Sequence, residues 1–167
     1  MFLDESRCNT DMTRRYAYSL GGSRAVDSAP LSKPKNTTIL SSIQLDGTLR
    51  YTTFSGGTTV ERFKRYLETD LLPHLNGNSV LIMDNMKSHH AKAVKNLLDS
   101  SEIRYIYLPP YSPDLNPIEK LWSKVKASLR KFKARTLDAL PNAIQNAFHS
   151  VTISDCSGWF RFCGYAL

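Results

Sequence analysis

Three acidic residues stand where a carboxylate could do chemistry. Asp84 directly follows the apolar run Val80-Leu81-Ile82-Met83. Such a run reads as a buried strand, and in open α/β sheets functional groups gather just beyond the carboxyl ends of strands. Glu119 falls on the first turn of an expected helix, after a loop stiffened by Pro109, Pro110, Pro113 and Pro117. Asp4 ends the first apolar run, Phe2-Leu3. Thirty-four residues separate Asp84 from Glu119. Carboxylate oxygens are the ligands that hard divalent cations prefer. Each acid also has a structural explanation. Asp84-Asn85 could cap or turn into the next helix. Glu119 could close a capping box, with Asn116 as N-cap and Pro117 as the first helical residue. Asp4, beside Glu5, could be the polar end of a strand. Residue types and spacing alone leave all three acids open between these readings.

The surrounding pattern predicts the elements that must carry them. A first short strand arrives at Asp4. With three residues before the acid, its anchoring is expected to be weak. A second strand is expected over Arg15–Leu20, closed by Gly21-Gly22, and the Pro-containing stretch Ser28–Thr37 reads as a loop. Thr38–Leu45 is β-rich, and Asp46-Gly47 is a hairpin turn into Leu49–Phe54. The period then changes: Val60, Phe63, Leu67, Leu71 and Leu72 predict a helix over Thr59–His74. Strands at Val80–Met83 and Ile103–Leu108 flank a helix marked by Ala91, Val94, Leu97 and Leu98. Helices are expected over Pro117–Phe132 and Leu137–Ser150, with one short helix in the tail Ile153–Leu167. Three antiparallel strands followed by strands joined through helices imply parallel pairing for the later ones. The expected fold is a single α/β domain over residues 1–167, a mixed sheet flanked by helices.

The segment Leu108-Pro109-Pro110-Tyr111-Ser112-Pro113-Asp114-Leu115-Asn116-Pro117-Ile118-Glu119-Lys120-Leu121-Trp122-Ser123 resembles the signature around the final glutamate of mariner-superfamily transposases and their bacterial insertion-sequence relatives. Val80–His89, with Asp84-Asn85 and a histidine shortly after, resembles that family's second-aspartate motif. Phe2–Ser6 resembles the first. The resemblance runs from Asp4 to about Tyr165. It implies a ribonuclease H-like fold in which Asp4, Asp84 and Glu119 bind two divalent ions, Mg²⁺ or Mn²⁺. Such ions, about 4 Å apart, stabilise the attacking and leaving oxygens of an in-line displacement at phosphorus. Water would first free a 3′-hydroxyl at an element end, and that hydroxyl would then attack target DNA. Asn85 and His89 match family positions that would orient metal-bound water or phosphate. Taken alone, the residues also allow a helix cap at Asn85 and a surface histidine at 89. His90 is expected at the surface, Trp122 in the core, and Glu5 in a structural role. The family's full-length members carry helix-turn-helix modules before the catalytic core. End recognition is therefore expected to need such a module, separately encoded, and a homodimer acting on paired ends.

Charge and composition narrow the partners. The formal net charge is +7, from 22 Lys and Arg against 15 Asp and Glu, which favours a polyanion. Seven basic residues and no acid lie between Lys120 and Arg135: Lys120, Lys124, Lys126, Arg130, Lys131, Lys133 and Arg135. They read either as a solvated helix face or as a phosphate-binding stripe on DNA. Three cysteines at spacings unlike the common zinc patterns predict reduced thiols rather than a disulfide framework or a zinc site. No apolar run approaches the ~20 residues of a membrane span. Met1–Glu5 lacks the features of a signal peptide. An intracellular, soluble protein is expected, cytoplasmic or at the nucleoid if bacterial.

Two other functions compete with strand transfer. One is a non-catalytic DNA-binding or subunit-interaction module descended from a transposase. The other is a different ribonuclease H-like nuclease, against which the Ser112–Glu119 motif argues.

Overall fold

The computed structural model describes residues 1–14, 16–28, 30 and 34–165 of the chain. The first two strands, β1 (Phe2–Cys8) and β2 (Thr37–Ile43), pair antiparallel, and β2 pairs antiparallel with β3 (Leu49–Ser55). The β2–β3 turn closes as the Asp46-Gly47 signal predicts. Gln44 N–H donates to the Thr48 carbonyl at 2.9 Å, and Gly47 takes a φ of 87° that a side chain would resist. Next come α1 (Val60–Tyr66), β4 (Val80–Met83), α2 (Lys92–Ser100) and β5 (Arg104–Tyr107). The helices α3 (Ile118–Phe132), α4 (Leu140–His149) and α5 (Ile153–Phe162) close the fold. The sheet order is β3-β2-β1-β4-β5, and β4 runs parallel to both β1 and β5.

Two apolar layers cover the sheet. Leu3, Leu40, Leu81 and Met83 pack with Phe63, Tyr66, Leu67 and Leu71 of the α1 region and with Val94 and Leu98 of α2. On the other face, Phe2, Cys8, Ile39 and Ile43 meet Leu121, Trp122, Val125 and Leu129 of α3 together with residues of α4 and α5. Phe2 and Leu3 thus go to opposite layers, as strand alternation requires. All three cysteines are buried free thiols. Among the described residues no helix is long and apolar enough to cross a membrane.

Three expectations need correction. Tyr16–Leu20 is not a strand, and Arg15 lies outside the described residues. Tyr16, Tyr18 and Leu20 are 90%, 107% and 94% exposed. The segment joins no strand of the five-stranded sheet, and these three side chains enter neither apolar layer. Next, β1 does not stop at Asp4. It continues to Cys8, with seven registered pairs to β2 that include Asp4 opposite Ser41. The ladder anchors Asp4 from both sides along the strand, so the expected weak anchoring does not arise. Finally, the helix expected over Thr59–His74 is α-helical only to Tyr66. It widens to a π-turn at Leu67–Leu71 and tightens to a 3-10 turn at Leu72–His74. Pro73 has no N–H for an α-helical bond, and its ring would collide with the carbonyl four residues back.

Leu40 is fully buried in the central ladder. Leu40→Ala should destabilise the domain by about 2–5 kcal/mol, read as a lower urea midpoint at unchanged slope.

Candidate active site

Strand alternation sends Asp4 toward α3 and Glu5 toward α1 and α2. Asp4 is 7% exposed. Its Oδ1 accepts the Glu5 backbone N–H at 2.7 Å, and its Oδ2 accepts the Trp122 indole N–H at 2.9 Å. Asp84 follows β4, which is held in register with β1 through Ile82 and Met83. Glu119 sits on the first turn of α3 and is exposed. All three acids line one cavity of about 540 Å³. Its other walls are Asn85, Met86, Asn116 and the loop Leu108–Pro113. The structure therefore brings together the three acids that the sequence singles out.

Neither capping alternative forms. Pro117 is the N-cap of α3 and makes no side-chain cap bond, while Ala91 caps α2. Asn116 is 4% exposed, and its Oδ1 has no partner. Asp84 instead makes a local turn, its Oδ1 accepting the Met86 N–H at 3.1 Å.

The larger correction concerns His89, which is not at the surface. It is fully buried and stacks on Phe63 with ring centroids 4.2 Å apart. Its Nδ1 lies 2.8 Å from Asp84 Oδ1, and its Nε2 lies 3.1 Å from Glu5 Oε2. Two carboxylates on one ring require both nitrogens to donate, which is the imidazolium form. Burial alone would lower the His89 pKa, but the hydrogen bonds and charges of Asp84 and Glu5 outweigh it and raise the value to about 9. With both nitrogens occupied, His89 has none to turn toward a metal-bound water or a phosphate. It orients Asp84, and Glu5 orients His89. The Tyr107 hydroxyl fixes the same turn by donating to the His89 carbonyl at 2.9 Å. Asn85 is exposed on the cavity wall, and its Oδ1 is bonded to His90, whose ring stacks on Tyr107.

The acids differ in their electrostatics. Burial pushes the Asp84 carboxyl up, yet the His89 hydrogen bond and charge and the Met86 amide leave it below the ordinary value. Burial pushes Asp4 up to about 7. The Trp122 and Glu5 hydrogen bonds oppose the rise, and the charges of Asp84 and Glu119 add to it. The site concentrates negative charge that a bound cation would neutralise.

The basic residues after Glu119 do not form one stripe. Lys120 lies over the Phe162 ring at 3.8 Å, Lys124 pairs with Asp155, and Lys133 pairs with Asp27. Arg135 donates to the carbonyls of Thr10 and Met12. Lys126 and Arg130, one turn apart, line a second cavity on the opposite flank of α3, while Lys131 is exposed.

Residues 1–141 match the family described as DDE superfamily endonuclease. The chain belongs to that family. The Tc1 transposase of Caenorhabditis elegans is 28% identical over 97 residues, covering 56% of this DDE chain and 36% of that protein. The Mos1 transposase paired-end complex with left transposon end is similar at a TM-score of 0.79 and 19% identity, over 96% of this chain and 50% of the other. The mariner Mos1 paired-end complex with Mg gives 0.68 and 19%, over 98% and 50%. These structures share the fold, which is ribonuclease H-like. The chain spans about half the length of those solved chains.

Three features of this DDE site escape a reading by motif: the Trp122 bond to Asp4, the Glu5–His89 support of Asp84, and the unpartnered Asn116 oxygen. Only the second leaves a sequence signal. Adjacent strand residues point to opposite faces, so Glu5 cannot share the Asp4 side and needs a partner of its own.

The His89 pKa is raised from 6.5 to about 9 on folding. The stability it contributes is therefore complete below pH 6.5 and is lost as pH rises through 9. Urea denaturation should show the wild type ahead of His89→Gln by on the order of 3 kcal/mol more at pH 6 than at pH 10. A gap that does not change with pH would contradict the imidazolium assignment.

Proposed function

We propose that this chain is the catalytic core of a DNA transposase, hydrolysing a phosphodiester at an element end and joining the freed 3′-hydroxyl to target DNA. One observation carries this: Asp4, Asp84 and Glu119, from elements far apart in the chain, line one cavity in a member of the DDE superfamily endonuclease family. The similar proteins are named as transposases, and one solved assembly is described with Mg.

The donors fit a hard divalent cation. They are carboxylate oxygens, with the buried and unpartnered Asn116 Oδ1 beside them. Among the described residues, no three His, Cys, Asp or Glu side chains stand close enough to hold an ion as they are placed. Glu119 is exposed and can turn at little cost, whereas Asp4 and Asp84 are fixed by their hydrogen bonds. Asp4, Asp84 and Glu119 would hold two ions, Mg²⁺ or Mn²⁺, which when bound supply charge neutralisation at the phosphate and an acidified water. His89 keeps Asp84 ionised and aimed. Trp122 and the Glu5 amide hold both oxygens of Asp4. Asn85 and Asn116 present amide groups to a phosphate in the cavity. The proline-stiffened loop before α3 limits the entropy lost on assembling the site. The partners are transposon-end and target DNA, with a homodimer on paired ends and a helix-turn-helix module for end recognition. The site of action is intracellular.

A second function, a DNA-binding module without catalysis, is favoured by the separation of the acids as they stand. Nicking of element-end DNA with Mg²⁺ or Mn²⁺, in the presence of a helix-turn-helix module, decides between the two. Glu119→Gln should lower the nicking rate at least about a hundredfold, the scale of loss for a catalytic group misplaced by about 1 Å. Salt-dependent DNA binding with no metal-dependent nicking would establish the second function instead.

Asp4 gives a further test. Its pKa is raised from 3.8 to about 7 on folding. Its favourable neutral form is thus present below pH 3.8 and is lost as pH rises through 7, and a cation must displace that proton. Mg²⁺ should raise the melting temperature more at pH 8 than at pH 5, and Asp4→Asn should abolish the difference. An equal shift at both pH values in the wild type would remove Asp4 from the ligand set.

A further inference from the structure

A second cavity, of about 330 Å³, opens where β1 leaves the sheet. Arg7, Lys126 and Arg130 line it together with Asn9, Asn36 and Asp11. Three cations thus face one acid. Among the described residues, none of the three cations has an ion-pair partner, in contrast to Lys124 and Lys133. The paired amides of Asn9 and Asn36 add donors to the same wall.

The place of this cavity relative to the acids gives it meaning. Trp122 touches Asp4, and Lys126 lines the same cavity as Cys8. Hence α3 and β1 run in the same direction away from the acidic cavity, and both end at the basic one. From Asp4 to Cys8 the strand rises about 13 Å. From Glu119 to Lys126 and Arg130 the helix rises about 10–16 Å. At about 3.4 Å of duplex axis per nucleotide of one strand, that span is three to five nucleotides where it follows the axis. The two walls that carry Asp4 and Glu119 therefore also carry a cationic pocket a few phosphates further on.

We propose that this pocket binds a backbone phosphate of the DNA strand whose scissile phosphodiester lies in the acidic cavity. The inference rests on the proposed DNA substrate. A lone Lys or Arg on a surface offers a diffuse charge, whereas two guanidinium groups and an ammonium around one cavity offer several N–H donors to one anion, in the fork geometry that phosphate matches. The contact fixes register and carries no base information.

The test is the salt dependence of duplex binding in the full chain carrying Glu119→Gln, so that no cleavage intervenes. A fluorescein-labelled duplex is titrated at several KCl concentrations. Adding Arg7→Gln, Lys126→Gln and Arg130→Gln together should flatten the slope of log K against log salt by about 0.9 for one lost phosphate contact. Lys64→Gln, which breaks an exposed pair with Glu68 on α1, should leave the slope unchanged. If the triple variant melts early, Arg130→Gln alone serves, with a smaller flattening expected. An unchanged slope in a folded variant overturns the proposal. Inorganic pyrophosphate is tested by thermal shift. If it stabilises the parent protein but not the variant while the slope stays constant, the pocket serves small anions and the DNA assignment is overturned. Flattening in a chain that never nicks DNA would sink the catalytic proposal and leave the pocket as a phosphate contact to bound DNA; metal-dependent nicking with no flattening would overturn the pocket and leave the catalytic proposal standing.

Discussion

The alternation of side chains along β1 is the constraint on which the rest of the site depends. Asp4 and Glu5 are adjacent, yet the pleat sends them to opposite faces of the sheet. Asp4 meets the Trp122 indole on the α3 side, and Glu5 meets His89 on the side of α1 and α2. The strand is central and paired on both edges, so neither residue can exchange places without breaking two ladders. A slip of one residue would put Glu5 against Trp122 and leave His89 facing Ser6, which carries no carboxylate. The register that buries Phe2 and Leu3 in separate layers is thus the same register that builds the site.

Within that frame, the balance of charge is deliberately uneven. A buried cation, His89, sits between two carboxylates and satisfies Asp84 from behind, on the side away from the cavity. Asp4 has only neutral donors, an indole and an amide, so burial dominates its ionisation. Removing one partner of a buried charged set leaves the others uncompensated, at a cost of about 3–5 kcal/mol. The Glu5–His89–Asp84 chain is consequently a structural commitment as well as an aid to the site.

Much of this was legible in the sequence. The period of the apolar residues located β2, β3, β4 and α2, and it located α3 to within a residue of its start. The Pro-rich motif placed Glu119 on the opening turn of α3. The three acids that line the cavity were singled out only through resemblance, because a strand-end Asp and a first-turn Glu can also be caps. What failed did so for reasons of tertiary structure. Tyr16, Tyr18 and Leu20 alternate as a strand should, yet they pair with no strand of the sheet and stay exposed. Pro73 changed the winding of the α1 region, where periodicity alone saw one helix. The sequence leaves His89 between a supporting role and a surface position because one of its two carboxylate partners, Glu5, comes from β1. Contacts between residues 84 positions apart leave no local pattern. The basic run after Glu119 looked continuous because the groups that divide it, Phe162, Asp155, Asp27 and the end of β1, are remote in the sequence.

One consequence lies in α3 itself. Glu119 and the Trp122 that holds Asp4 are one helical turn apart on the same continuous helix, and Lys126 and Arg130 follow on it. A helix of this length behaves as a stiff rod, so Glu119, the Asp4 support and the basic cavity cannot be adjusted separately. A small slide of the rod, driven by α4 or α5 at its far side, would shift all three at once. The spacing between the acidic cavity and the basic one is therefore set by the pitch of one helix, much as a ruler sets it, rather than by loops that could each drift.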